Sequence, residues 1–151
     1  MWKTIVVPHD FSSSANHAAA LARDHAKLGG GKLLLLHVVD IPPSFGPDTT
    51  LILDGSSEPP VGMQDYAVRR ATDHLNDLAQ RLRADGVEVA TYVRVGVPVD
   101  EILKFAGEHA ANVIVMGTHG RTGFRHLLAG SVTEKVVRAS SIPVLTTRHA
   151  G

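Results

Sequence analysis

Lys32-Leu33-Leu34-Leu35-Leu36-His37-Val38-Val39 places apolar side chains at consecutive positions over the length of one strand. Alternate residues of a strand point to opposite faces, so such a run is apolar on both sides and needs cover on both. Parallel sheets flanked by helices supply that cover. Trp2 to Pro8 is a second short, β-branched run, stopped by proline. Val87 to Val95, Asn112 to Met116 and Ile142 to Thr146 are three more.

Helical periods fill the intervals between these runs. Ser12 to Leu28 carries Ala15, Ala18, Ala19, Ala22 and Ala26 with Leu21 and Leu28, and Gly29-Gly30-Gly31 follows as a stop. Met63 to Ala84 repeats Ala67, Ala71, Leu75, Leu78, Ala79 and Leu82 against a charged face, and Gly86 ends it. Val97 to Glu108 accepts Pro98 in its first turn, and a fourth helix runs from about Ser131 to Ser140 with Val132, Val136 and Ala139 as its core face. The order β-α-β-loop-α-β-α-β-loop-α-β predicts a doubly wound α/β fold, a parallel sheet with helices on both faces. Its 151 residues suit one domain, 1–151, with a long Pro/Gly-rich loop at about 40–62. A loop of that length serves either as a lid over a ligand or as a tolerated surface insertion, and Thr50-Leu51-Ile52-Leu53 within it has the composition of a small extra strand or a hydrophobic plug.

Fifteen basic and fifteen acidic residues cancel, so no net field draws the chain to nucleic acid or to an anionic membrane. Cysteine is absent, which excludes disulfides, zinc–thiolate sites and thiol nucleophiles. No run approaches the roughly 18 apolar residues that span a bilayer. Met1-Trp2-Lys3-Thr4 leads into a strand without the apolar core of a signal peptide, so the expected localisation is cytoplasmic.

Chemistry concentrates where strands end. Gly117-Thr118-His119-Gly120, then nine residues, then Gly130-Ser131 link the fourth strand to the fourth helix. Glycine backbone comes close to an anion, and a helix N-terminus adds unpaired N–H donors and positive dipole, a combination that suits phosphate. A glycine turn serving loop geometry alone has the same spacing. Neither a Walker A lysine nor G-x-G-x-x-G is present. Arg121 and Arg125 stand nearby as phosphate partners or as solvating charge. Ser131 and Glu134 have the S-x-x-E spacing of a capping box.

Asp10, at the end of the first strand, would share the crevice if the first and fourth strands are neighbours; it suits a ribose hydroxyl or phosphate-bound Mg²⁺, and equally a helix cap or Asx-turn. Nine histidines include His9, His37, His119 and His126 near strand ends. None has a helical metal-ligand spacing, so they read as polar loop residues with no side-chain metal site.

Ile5-Val6-Val7-Pro8-His9-Asp10-Phe11-Ser12, Leu35-Leu36-His37-Val38-Val39, Val113 to Gly123, Leu127 to Val136 and Ile142-Pro143-Val144-Leu145 together resemble the universal stress protein family over essentially the whole chain. G-x-x-G-x9-G-[S/T] is similar to the motif of its ATP-binding branch. The resemblance implies a five-stranded, Rossmann-like sheet of order 3-2-1-4-5, as in adenine nucleotide alpha hydrolase-like folds. It implies that Pro8, His9 and Asp10 meet adenosine and that Val38 holds adenine through its backbone. Met116, Gly117, His119, Gly120 and the adjoining Arg121 would line the ribose and phosphate side, with Gly130, Ser131, Val132 and Thr133 on the phosphates. The expected cofactor is ATP, or AMP or ADP, with Mg²⁺ held through the phosphates. The expected function is a nucleotide-dependent stress-response regulator or chaperone-like partner. The alternatives are a slow ATP hydrolase or phosphotransferase, and an AMP or cyclic-nucleotide sensor. With no P-loop lysine and no base opposite a γ-phosphate, binding without catalysis is the expectation. The apolar last strand, Ile142 to Thr146, would lie at a sheet edge and pair two chains as a homodimer.

Overall fold

The computed structural model describes residues 1–41, 50–51, 61–118 and 131–148. Its elements are β1 (Thr4–Pro8), α1 (Ser13–Gly29), β2 (Lys32–Val39), β3 (Thr50–Leu51), β4 (Val61–Gly62), α2 (Met63–Arg83), β5 (Glu88–Val95), α3 (Pro98–Glu108), β6 (Val113–Gly117), α4 (Val132–Ala139) and β7 (Val144–Thr147). The order β5-β2-β1-β6-β7 forms one sheet whose neighbours all run parallel. Counted along the chain, these five strands lie 3-2-1-4-5, as expected. β3 and β4 pair antiparallel on their own, so Thr50-Leu51 does form the small strand, while Ile52 and Leu53 lie outside the described residues.

Strand alternation divides the core into two layers. Ile5, Val7, Leu33, Leu35, Val113 and Val115 face α1 and α2, where Ala18, Ala22, Leu75 and Ala79 are fully buried. Val6, Leu34, Leu36, Ile114 and Met116 face α3 and α4 around Phe105, Ala106 and Val136. The leucine run thus feeds both layers, which is why it needs no polar face.

Helix ends follow their sequence signals. Ser12 caps α1 by accepting from the Ala15 N–H at 3.1 Å, and Gly30 closes it at φ 66°. α4 departs from expectation. Val136 is fully buried, but Val132 is 37% exposed and Ala139 is exposed, while Thr133 turns inward. The buried stripe runs through positions 133 and 136, three apart, because a short helix touches the sheet along only one narrow line.

The sheet edges differ. Ladder alternation turns the backbone groups of Val89 away from β2, and the Arg83 guanidinium covers that carbonyl with Nε–H at 3.0 Å and Nη2–H at 2.7 Å. At the other edge, Pro143 and Thr147 give their carbonyls to β6, so the N–H and C=O of Val144 and Thr146 point outward. Among the described residues no helix is long and apolar enough to cross a membrane.

Candidate functional site

β1 sends its chain to α1 on one face of the sheet, while β6, its neighbour, leads to α4 on the other. The crevice between the two strand ends is the switch point where open α/β sheets take ligands. Three elements meet there. The first turn of α1 lies directly on Gly117: a Cβ at that position would collide with Ser14 Oγ and come within 2.7 Å of the Ser14 carbonyl oxygen. On its other side, Gly117 accepts a hydrogen bond at its carbonyl from Thr133 Oγ1 at 2.8 Å. The N-termini of two helices are thereby drawn to the end of one strand, and glycine is what lets the first approach.

At α4, Ser131 Oγ accepts from the Glu134 N–H at 3.1 Å, the first half of the capping box. The return half is not made: Glu134 Oε1 pairs with Arg138 at 2.7 Å, and its buried Oε2 has no hydrogen-bond partner among the described residues. The N–H groups of Val132 and Thr133 head this helix and have no preceding turn to bond. Thr133 has one hydroxyl proton and spends it on Gly117, so toward an anion this residue offers its backbone. Asp10 makes the Asx-turn foreseen for it, with Oδ1 accepting from the Ser12 N–H at 3.0 Å.

His9 corrects the reading of the histidines as polar loop residues. It is 4% exposed and continues the Ile5–Val7 alternation into the α1–α2 layer. All four of its polar atoms are engaged. Its N–H donates to the Leu36 carbonyl at 2.8 Å, and its carbonyl accepts from His37 Nδ1–H at 2.7 Å. Nδ1 accepts from the Phe11 N–H at 3.0 Å, which leaves Nε2–H to donate to Asn16 Oδ1 at 2.9 Å. The tautomer is therefore assigned by the network. Burial pushes the imidazole pKa below its ordinary value; Asn16 and Asp10 pull it up, and His37 and Arg81 add to the depression.

The rung from His9 to Leu36 is the last that β1 makes with β2. Val38, two residues on, presents its N–H and C=O to the same side, over the crevice. Pro8 is buried at the end of β1. Met116 is 5% exposed within the α3–α4 layer, so its side chain is core. Pro8, His9, Asp10, Val38, Gly117, Ser131, Val132 and Thr133 are thus gathered at one end of the sheet, while His119, Gly120, Arg121 and Gly130 lie outside the described residues. Among the described residues no three His, Asp or Glu side chains are placed to hold a metal ion.

Phe11, Asn16, His74 and Arg81 gave no sequence signal as site residues, yet with His9, Asp77 and Leu78 they line a cavity of about 230 Å³ beneath the β1–α1 turn. Phe11 sits at φ 66°, a left-handed conformation rare for a bulky residue. Its ring stacks on His37 at 4.5 Å and meets His74 edge-on at 5.1 Å. The alternation Ile5–Val7–His9 was the one available sign that the His9 ring points inward.

The profile of the universal stress protein family matches residues 1–148. Universal stress protein MJ0577 of Methanocaldococcus jannaschii is 30% identical over 156 residues, spanning 99% of this chain and 96% of its own. The solved structure of MJ0577 superposes with a TM-score of 0.80 at 27% identity, covering 100% of this chain and 99% of the other. A universal stress protein solved in complex with cAMP superposes at 0.63 with 27% identity and 97% coverage of each chain. With a strand order, a crevice and a full-length profile match in agreement, this chain belongs to the universal stress protein family.

Proposed function

We propose that this chain belongs to the ATP-binding branch of its family, taking an adenine nucleotide across the β1–β6 crevice and acting as a nucleotide-dependent stress-response regulator or chaperone-like partner. The observation that carries this reading is the convergence of two helix N-termini and the end of β6 on Gly117. In it, the phosphates sit on the Val132 and Thr133 N–H groups and on the glycine segment containing His119, Gly120, Arg121 and Gly130. Asp10 takes the ribose, and the outward backbone of Val38 takes the adenine. In this reading Mg²⁺ is held through the phosphates. A cyclic-nucleotide sensor is the second reading, favoured by the relative solved with cAMP.

Ligand binding stabilises a fold by about 2.7 kcal/mol at a hundred times the dissociation constant. For a chain of this size that is a rise in Tm of roughly 5–10 °C. Millimolar ATP with Mg²⁺ is expected to give it, and mass spectrometry of the nucleotide released from denatured protein identifies the natural ligand among ATP, AMP and cAMP. No shift with any of the three, and no copurifying nucleotide, refutes the reading. Donors that hold ground state and transition state alike do not accelerate hydrolysis, so turnover well below about 1 per second belongs to the same proposal.

The proposed assembly is a homodimer through β7. Thr146 is exposed, and its backbone groups face outward at the open edge. Leu145 gives its N–H to the β6 side, so Thr146 is the position where proline removes an inter-chain donor and spares the sheet's own ladder. Light scattering is expected to give twice the monomer mass at tens of micromolar, and Thr146→Pro to shift it toward monomer. Monomer mass for wild type at that concentration rejects the dimer.

A further inference from the structure

The β1–α1 turn is built on a histidine that performs an asparagine's task. Asparagine and aspartate close an Asx-turn by accepting the N–H two residues on. Here Asp10 does so with Ser12, and His9 does so with Phe11, so two such turns overlap. The first depends on an unprotonated Nδ1. It also holds the one strained residue of the turn, since Phe11 at φ 66° is kept in place by that bond and by the His37 and His74 rings.

We propose that His9 is the positioning residue of the crevice and that nucleotide binding requires it neutral: protonation turns Nδ1 from acceptor to donor, sets it against the Phe11 N–H, and releases the turn that carries Asp10. The proposal rests on the nucleotide reading given above. Two donors facing each other at 3.0 Å leave both unpaired in a buried place, which the turn relieves only by opening. His37 cannot play this part, because its bond to the His9 carbonyl uses Nδ1–H and survives protonation. The cavity beside His9 gives the proton a path from solvent.

The charged and titratable groups around His9 are Asp10 on its own loop, His37 on β2, and His74, Asp77 and Arg81 on α2. Burial and Arg81 oppose the imidazolium while Asp10 favours it, and burial is the largest influence. Folded His9 therefore titrates below the unfolded value of about 6.5, and the unfolded chain takes the proton first as pH falls. What His9 contributes to the fold is complete above about pH 6.5 and is lost as pH drops toward the folded-state pKa.

The test measures the Kd for Mg·ATP between pH 8 and pH 5 in wild type and in His9→Asn, whose amide oxygen accepts the Phe11 N–H but takes no proton. One linked proton weakens binding by at most tenfold per pH unit. The expected result is a wild-type Kd that rises toward pH 5, by less than about thirtyfold because the folded-state pKa lies below 6.5, and a variant that lacks this component. The phosphate group titrates in both experiments and cancels in their ratio. Nitrogen NMR of wild type supplies a check that needs no variant: His9 is expected as the Nε2–H tautomer at neutral pH, with the Phe11 amide losing its hydrogen-bonded shift as Nδ1 protonates. An Nδ1–H tautomer, or affinities that fall in parallel in the two proteins, overturns the proposal and leaves the nucleotide reading intact. No binding at any pH overturns both.

Discussion

Gly117→Ala is expected to destabilise the fold by about 2–3 kcal/mol, the upper part of the range for overpacking a tight core. The new methyl meets Ser14 Oγ, the Ser14 carbonyl oxygen at 2.7 Å and its carbonyl carbon at 2.8 Å. A side-chain oxygen can rotate away, but backbone atoms cannot. Relief therefore demands that the first turn of α1 retreat as a body, taking Ser12 and Asp10 with it. Calorimetry should show a Tm lower by roughly 4–12 °C for a chain of this length. Adding Ser14→Ala removes only the hydroxyl clash, so it should restore part of the loss. A single variant within 0.5 kcal/mol of wild type would show that α1 does not pack on β6 as described.

Ser131→Asp is expected to weaken ATP binding by more than tenfold while leaving Tm nearly unchanged. Aspartate is as good an N-cap as serine, so the bond from the Glu134 N–H at the head of α4 is kept. The added carboxylate instead competes with phosphate for the same positive helix end and repels it. Losing one charge-assisted bond costs about 1.5–3 kcal/mol, which is roughly 10- to 150-fold in affinity. Adenosine has no phosphate and should bind wild type and variant equally. Titration calorimetry with both ligands separates the cases: equal losses for ATP and adenosine, or no loss for either, would move the phosphates away from α4.

The architecture was legible because it is written in periodicity. Four consecutive leucines between a glycine stop and a proline-rich stretch admit few environments, and Ala15 through Ala26 or Leu75 through Leu82 state their helical face directly. Ser12, Gly30 and Ser131 marked their helix ends by local chemistry. The crevice was legible only as a meeting of strand ends. That Gly117 serves close packing against Ser14 is a contact across more than a hundred residues, which no local pattern encodes. The Phe11 conformation was invisible for another reason. A bulky residue at positive φ is held by its surroundings, here the histidine rings of its own turn, of β2 and of α2, and not by its own preference. Val132 was misread because a period names a stripe, while the line of contact with the sheet decides which part of it is covered.

Arg83 has a consequence for what the sheet can grow into. A strand arriving at β5 would have to strip a guanidinium from a carbonyl it holds with two N–H groups and leave that cation without its acceptor. An arrival at β7 meets outward backbone groups with no such guard among the described residues. A molecule that could be extended at both margins would polymerise; with the β5 margin guarded at Val89, the proposed β7-to-β7 union uses the less protected margin of both copies. In the proposed dimer, growth by strand pairing through β7 therefore ends with the second copy.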